Sequence, residues 1–161
     1  MSKAEDEFVA FYEAHWPKLV VALASSVPDG EDPRDVAQEA FARAFERWRS
    51  LREHPRPDAW LFLTGYRLAS TLRRRIATRR RHERHADVRQ ANDWVRDVAS
   101  HDLLRSVPVR QRTALVLRHY YRLSTRETAR AMRCREGTVK SLLSRGRERL
   151  RLVLADEELE R

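Results

Sequence analysis

The chain has 161 residues, 35% of them charged, with 33 Lys and Arg against 24 Asp and Glu and a net charge of +9. That length allows one ordinary domain or two small helical ones, and the excess charge, nearly all Arg, favours a phosphate-bearing partner unless codon bias alone set it. The single cysteine, Cys134, excludes an intrachain disulfide, and no apolar run approaches the roughly 18 residues of a membrane span.

The N-terminus, Met1 to Phe8, has no apolar signal core, so a cytoplasmic location without membrane insertion is expected. Few glycines and few β-branched runs argue against a sheet, and apolar residues recur at helical spacing almost throughout. Phe8, Phe11, Tyr12, Trp16, Leu19, Val20 and Leu23 predict a first amphipathic helix that ends before the turn Pro28-Asp29-Gly30. A second begins at Asp32-Pro33, with Asp as N-cap and Pro in the first helical position. Its apolar stripe is Val36, Ala40, Phe41, Ala44, Phe45 and Trp48. After Pro55-Arg56-Pro57 a third starts near Asp58. Trp60, Leu61, Leu63, Thr64, Leu68 and Leu72 form its expected inward face, and it runs into Arg73-Arg74-Arg75. Together these helices can close one small core.

Residues 78 to 100 are polar and Arg-rich and read as a frayed helix end followed by a linker, with Trp94 and Val95 the exceptions. Periodicity returns at His101. Leu103, Leu104 and Val107 predict a short helix, Pro108 a break, and Ala114, Leu115, Leu117, Tyr120 and Tyr121 a longer helix. Ser124 with Glu127 forms a capping box before a helix that turns Ala129 and Met132 inward. The last helix follows Cys134-Arg135, with Val139, Leu142, Leu143, Leu150, Val153 and Leu154 on one side.

Little of this can be catalytic. Asp35, Glu39, Arg43, Glu46 and Arg47 are spaced as solvated i,i+4 partners on the second helix. His82 and His85 have ligand-like spacing but no supporting Cys or carboxylate. Cys134 reads as a small turn or core residue. No phosphate-cradling Gly loop and no carboxylate cluster for metal-assisted nuclease chemistry is present. Catalytic residues, metals and cofactors are therefore all expected to be none.

The binding signals are stronger. Residues 123 to 147 read as a helix-turn-helix with a basic second helix. Once its apolar side packs inward, Glu136, Thr138, Lys140, Ser141, Ser144 and Arg145 fall on the open side, near the N-terminal half that reads base edges. Arg67, Arg73, Arg74, Arg75, Arg79, Arg80, Arg81, Arg84 and Arg89 face only Glu83 and Asp87, a density that calls for polyanion. Trp48, Trp60 and Tyr66 bracket the start of that run. They suit either base stacking or the core, with core the better reading for Trp60.

Two blocks in this order resemble a bacterial RNA polymerase sigma factor of the sigma-70 family, extracytoplasmic-function (ECF) group. The first is Asp32 to Trp48, then Ala59-Trp60-Leu61-Phe62 and the Arg-rich end, which looks like sigma region 2. The second is Val107-Pro108, Gln111-Arg112, Val116-Leu117-Arg118, Leu123-Ser124 and Glu136 to Ser141, which looks like region 4. The resemblance implies an all-α protein of two small domains: residues 1–82 a three-to-four-helix bundle, 83–100 a flexible linker and 101–161 the helix-turn-helix. It implies a non-enzymatic factor that binds core RNA polymerase, selects promoters and helps open them. Asp35, Gln38, Glu39, Phe41 and Arg43 match the surface that docks on the β′ clamp helices. Arg52, His54, Arg56, Arg67, Ser70, Thr71, Arg73 and Arg74 match the −10 element. Arg135, Glu136, Thr138, Lys140, Ser141, Ser144 and Arg145 match the −35 reader, in a domain that packs on the β flap. Many relatives are held by an anti-sigma factor, which makes one a candidate partner. Three departures stand out: Arg133 where the turn usually has Gly, Leu142 where a basic residue is common, and Ser70 where Asn is common. A stand-alone helix-turn-helix regulator would share only the second block. A sigma-like adaptor would share both.

Overall fold

A computed structural model describes residues 2–82 and 103–159. The chain divides into two compact units, Met1–Val95 and Arg96–Arg161. The regular structure of the described residues is entirely helical. The expected linker, with Trp94, Val95, Arg84, Arg89 and His85, lies outside the described residues.

In the first unit, α1 spans Lys3–Ala24. Ser2 caps it reciprocally: its hydroxyl accepts from the Glu5 N–H at 3.3 Å, and its own N–H donates to the Glu5 carboxylate at 2.7 Å. Pro17 lies inside this helix and cannot donate to the preceding turn. The helix continues because Leu19, Val20, Ala22 and Leu23 beyond it are all buried. Gly30, with φ +88°, supplies the left-handed residue of the turn that follows. α2, Pro33–Glu46, opens where the Asp32-Pro33 pair predicts, with the Asp32 carboxylate accepting from the Arg34 N–H at 2.9 Å. A single turn, α3 (Trp48–Leu51), leads to the loop before α4, Pro57–His82.

The core of this unit is aromatic on one side and small on the other. Phe41 is 3% exposed, with ring centroids of Phe8, Phe11, Tyr12 and Trp16 at 6.4, 6.0, 4.7 and 5.9 Å. Trp48 joins the cluster against Phe8 and Phe11 at 5.2 and 5.0 Å. On α4 the buried positions are Ala59, Leu61, Phe62, Thr64, Gly65 and Ala69. Of the expected inward face, Leu61 and Thr64 are buried, while Trp60, Leu63, Leu68 and Leu72 are only half-buried and Phe62 is interior in their stead. Close packing sets the contact: a Cβ on Gly65 would lie 2.7 Å from Leu23 Cδ1, so α4 meets α1 closely there, while Leu61 and Phe62, each 1% exposed, fill the interior. α4 also stays helical to His82 rather than fraying from residue 78. Arg79, Arg80, Arg81 and His82 in its last turn suit the negative end of the helix dipole.

In the second unit a helical turn at 103–105 precedes Pro108, and α5 spans Val109–Leu115. A π-helical turn, Val116–Tyr120, continues it. Arg122, with φ 56°, then turns the chain toward α6, Thr125–Met132, and α7, Glu136–Leu159. Val107, Ala114, Leu115, Ala129, Val139 and Leu143 form the core, with Met132, Cys134, Leu142 and Leu150 packed against it. Cys134 is therefore a packing residue of the turn. Arg112, 7% exposed, donates Nη2 to the carbonyls of Val107 and Arg105 at 3.0 and 3.2 Å and ties the Pro108 bend to α5. A Cβ on Gly146 would sit 2.9 Å from Leu115 Cδ1, so α7 lies close on α5. Beyond Leu150 the stripe reaches solvent, and Leu154 is 47% exposed.

Phe41→Ala is expected to destabilise the first unit by about 3–4 kcal/mol, the cost of emptying an aromatic core site. Urea unfolding followed by tryptophan fluorescence measures it, and a loss below 1 kcal/mol would return Phe41 to the surface.

Candidate nucleic-acid interface

The helix-turn-helix is built from local hydrogen bonds. The Ser124 hydroxyl accepts from the Glu127 N–H at 3.0 Å, and the Ser124 N–H donates to the Glu127 carboxylate at 2.6 Å. Thr128 is fully buried and its hydroxyl donates to the Ser124 carbonyl at 2.8 Å. At the other end of α6, the Arg133 N–H bonds to the Arg130 carbonyl at 3.2 Å and the Cys134 N–H to the Ala129 carbonyl at 3.0 Å. This Schellman pattern needs a left-handed residue. Arg133 supplies it at φ 53°, ψ 48°, where a side chain costs about 1 kcal/mol relative to Gly.

That turn aims α7. Val139 and Leu143 point into the core, and Leu142 packs against it. Arg135, Glu136, Lys140, Ser141, Ser144 and Arg145 are all exposed, and Thr138 is half-buried at the edge of the same face. A Cβ on Gly137 would meet nothing within 4 Å, so the first turn of α7 is open to a close neighbour. Within 135–145 the open face carries Arg135, Lys140 and Arg145 against Glu136 alone, with hydroxyls between them. Such a face can hydrogen-bond to base edges and phosphates.

In the first unit, the eight residues matched to the −10 element separate into two groups. His54, Arg67 and Arg74 are exposed. His54 accepts the Arg56 N–H on its Nδ1 at 3.0 Å, and the other five are tied into the fold. Arg52 pairs with Glu7 at 2.9 Å. Arg56 grips Asp58 through Nε and Nη2 at 3.0 and 2.9 Å. Arg73 donates to the Ser26 carbonyl at 2.9 Å and to the Ser70 hydroxyl at 2.8 Å, and its guanidinium lies 5.8 Å from the Tyr66 ring centre. The Thr71 hydroxyl donates back to the Arg67 carbonyl at 3.0 Å. Arg73 and Ser70 thus join α4 to the end of α1. Trp48, a stacking candidate by position, is 8% exposed and belongs to the core; Trp60 and Tyr66 are half-buried.

Electrostatics around this loop are local. Burial opposes ionisation of the Asp58 carboxyl, but the Arg56 hydrogen bonds and charge, with the Ala59 N–H and His15, outweigh it and hold Asp58 below the usual carboxylate range. Burial, opposed by Asp58 and assisted by Lys18, holds His15 below its ordinary value, 4.5 Å from the Phe11 ring.

On α2, Asp35, Gln38, Glu39 and Arg43 are exposed together, with Arg43 Nε 2.9 Å from Glu39. Phe41 must be taken out of this docking set, because it is enclosed by four aromatic rings. Phe45, which sequence periodicity assigned to the core, is instead 54% exposed on the same helix, with its ring centroid 4.9 Å from that of Phe8. Hydrophobicity alone pointed it inward; the space beside Phe41 is filled by Tyr12 and Trp16. Also missed were Arg126 and Arg130, whose i,i+4 spacing on the outer side of α6 was the available signal. No cluster of three metal-ligating side chains occurs among the described residues, and none of their helices is long and apolar enough to cross a membrane.

A small helical bundle followed by a helix-turn-helix with an open basic face defines a DNA-binding transcription protein. The family model for Sigma-70 region 2 matches residues 11–85, and that for Sigma-70, region 4 matches residues 99–150. The RNA polymerase sigma-E factor of Streptomyces coelicolor is 31% identical over 163 residues, covering 96% of this chain and 89% of that protein. The sigma-E factor of Streptomyces antibioticus is 32% identical, covering 96% and 88%. Among solved structures, the sigma factor RpoE of Bartonella quintana, in complex with the anti-sigma factor NepR, superposes with a TM-score of 0.78 at 21% identity, covering 92% of this chain and 97% of that one. CnrH, in complex with the cytosolic domain of CnrY, gives 0.64 at 23% identity over 94% and 90%. The chain belongs to the sigma-70 family of RNA polymerase sigma factors, in its extracytoplasmic-function group.

Arg73→Ala is expected to lower stability by about 1–2 kcal/mol, because it leaves the Ser26 carbonyl short of a charged donor. Arg74→Ala should leave stability within 0.5 kcal/mol, as for an ordinary surface site. Paired thermal melts of the two variants decide it; equal melting points would mean that Arg73 is not a strut.

Proposed function

We propose that this protein is an alternative sigma factor that binds core RNA polymerase, directs it to specific promoters and helps open the −10 region. The observation that carries the reading is the pair of sigma regions in family order, 11–85 and 99–150, on one chain. A stand-alone regulator would have no use for the first of them.

The work is binding rather than catalysis. In the second unit, Lys140, Ser141, Ser144, Arg135 and Arg145 read the −35 duplex, with Glu136 and Thr138 at the start and edge of the face. In the first, Arg67 and Arg74 lead the contact to the −10 strand, because both are exposed and their side chains need break no bond to another described residue; His54, exposed but with its Nδ1 accepting the Arg56 N–H, joins them. Arg52, Arg56, Ser70, Thr71 and Arg73 chiefly shape the loop and α4. Capture of unpaired bases offsets the stacking and pairing energy lost on melting, so opening is coupled to reading. Asp35, Gln38, Glu39, Arg43 and Phe45 form the face for the β′ clamp helices. The second unit packs on the β flap. An anti-sigma factor that covers either surface would hold the protein inactive; both solved relatives described above are named as complexes, one of them with an anti-sigma factor. The site of action is the cytoplasm, where the polymerase and chromosome are.

Run-off transcription on a promoter-fragment library, with core polymerase from a related bacterium, tests this. Transcripts that require the protein and share −35 and −10 sequences are expected. Absence of both transcripts and core binding would overturn the assignment. Phe45→Ala should leave folding intact, because the ring is largely exposed, and weaken core binding about tenfold, as loss of an aromatic interface anchor does. Unchanged core affinity in a fluorescence titration would remove α2 from the interface.

A further inference from the structure

The second half of α7 carries apolar surface that its own unit does not cover. Leu150 is the last apolar residue of the helix packed on the core, yet the helix runs on to Leu159. Leu152, Leu154 and Leu159 are 52%, 47% and 86% exposed. A groove of about 400 Å³ lies along one face of this stretch, lined by Arg147, Leu150, Arg151, Leu154, Ala155 and Glu158. Their spacing is i, i+3, i+4, i+7, i+8 and i+11, a single stripe of the kind by which one helix packs on another. The stripe is ordered by charge: cations at its N-terminal end, leucine and alanine in the middle, a carboxylate at its C-terminal end. Arg151 is tied within the helix to Glu148, and Arg147 stands beyond it at the end of the stripe.

We infer that this stripe is a self-association surface, and that its occupant is the same stripe of a second copy, running antiparallel about a two-fold axis. The order of charges decides both partner and direction. An axis at the midpoint of the stripe, between residues 152 and 153, sets Arg147 against Glu158 of the second copy and Leu150 against Ala155. It sets Leu154 against the aliphatic stem of Arg151, and every pair occurs twice. A two-fold interface requires a patch that is complementary to itself in this way. A parallel pair would oppose Arg147 to Arg147 and Glu158 to Glu158, with repulsion at both ends. A purely acidic or purely basic peptide would satisfy one end of the stripe and oppose the other. Six residues a side make an interface below the standard size, so the dimer is weak and concentration-dependent. Residues 135–145 lie outside the stripe, so both copies keep the basic face of α7 open, and the inference stands apart from the −35 reading.

Sedimentation velocity of the full chain, from about 2 to 200 µM, tests this in the range expected of a small interface. Reducing buffer keeps Cys134 from cross-linking copies. The wild type should pass from monomer to dimer. Arg147→Glu and Glu158→Arg should each raise the dimer dissociation constant at least about tenfold, because each sets like charges at both ends. An equimolar mixture of the two variants should dimerise as the wild type does, since the opposed ends again carry opposite charge. Leu154→Asp, at the centre, should stay monomeric. All three positions are exposed, so the variants keep the fold. A wild type that stays monomeric throughout would overturn the inference. So would single variants that dimerise like the wild type, or a mixture that dimerises no better than either variant alone. Titration of Leu154→Asp against core polymerase tests the other occupant. Loss of core affinity, with a wild type that never dimerises, would assign the groove to the polymerase and overturn self-association.

Discussion

Close packing of helices through small residues is the constraint on which both units depend. Each has too little chain for a large core, so each must bring helices near one another at a few points. In the first unit that point is Gly65 against Leu23; in the second it is Gly146 against Leu115. The aromatic cluster around Phe41 then fills the space on the other side of α1 and α2. Most of the apolar residues are consumed in this way, and the outer faces of α2, α4 and α7 carry chiefly charge and hydroxyls, with Phe45 and Leu154 among the apolar exceptions.

The charged residues divide into those that hold the fold and those that can reach a partner. Arg73 and Arg112 donate to backbone carbonyls, and Arg52 and Arg56 close on carboxylates. They act as struts. Arg67, Arg74, Lys140 and the cations around the α6–α7 turn face solvent. A basic chain of this kind is therefore not uniformly sticky toward DNA: part of its charge is spent on internal struts. The salt dependence of binding should report the cations that face the duplex and not the total charge.

Much of this was legible in the sequence. Asp32-Pro33 marked the start of α2, Ser124 with Glu127 marked the start of α6, and the open face of α7 followed from its apolar spacing. The two sigma regions followed from motif order. What escaped was decided by size and strain. Periodicity treats Gly65 and Ala69 as weak signals and Trp60 and Leu72 as strong ones, yet the close approach to Leu23 places Gly65 in the interior, with Ala69 buried on the same helix and Trp60 and Leu72 only half-buried. Phe41 and Phe45 look alike four residues apart, and only the ring packing of Phe11, Tyr12 and Trp16 on Phe41 separates core from surface. Arg133 stood out as a departure from Gly, but its left-handed backbone and its grouping with Arg126 and Arg130 appear only in three dimensions.

The central claim is a division of labour: α7 anchors the duplex at −35 while the 52–56 loop and α4 capture the opened −10 strand. The most direct measurement is permanganate reactivity of −10 thymines together with footprinting at −35, on complexes of core polymerase with this protein. With wild type, −35 protection and −10 reactivity should both appear. A His54→Ala, Arg67→Ala, Arg74→Ala variant should keep the −35 footprint and lose the reactive thymines. Retention of full −10 reactivity in that variant, or loss of the −35 footprint along with it, would contradict the account.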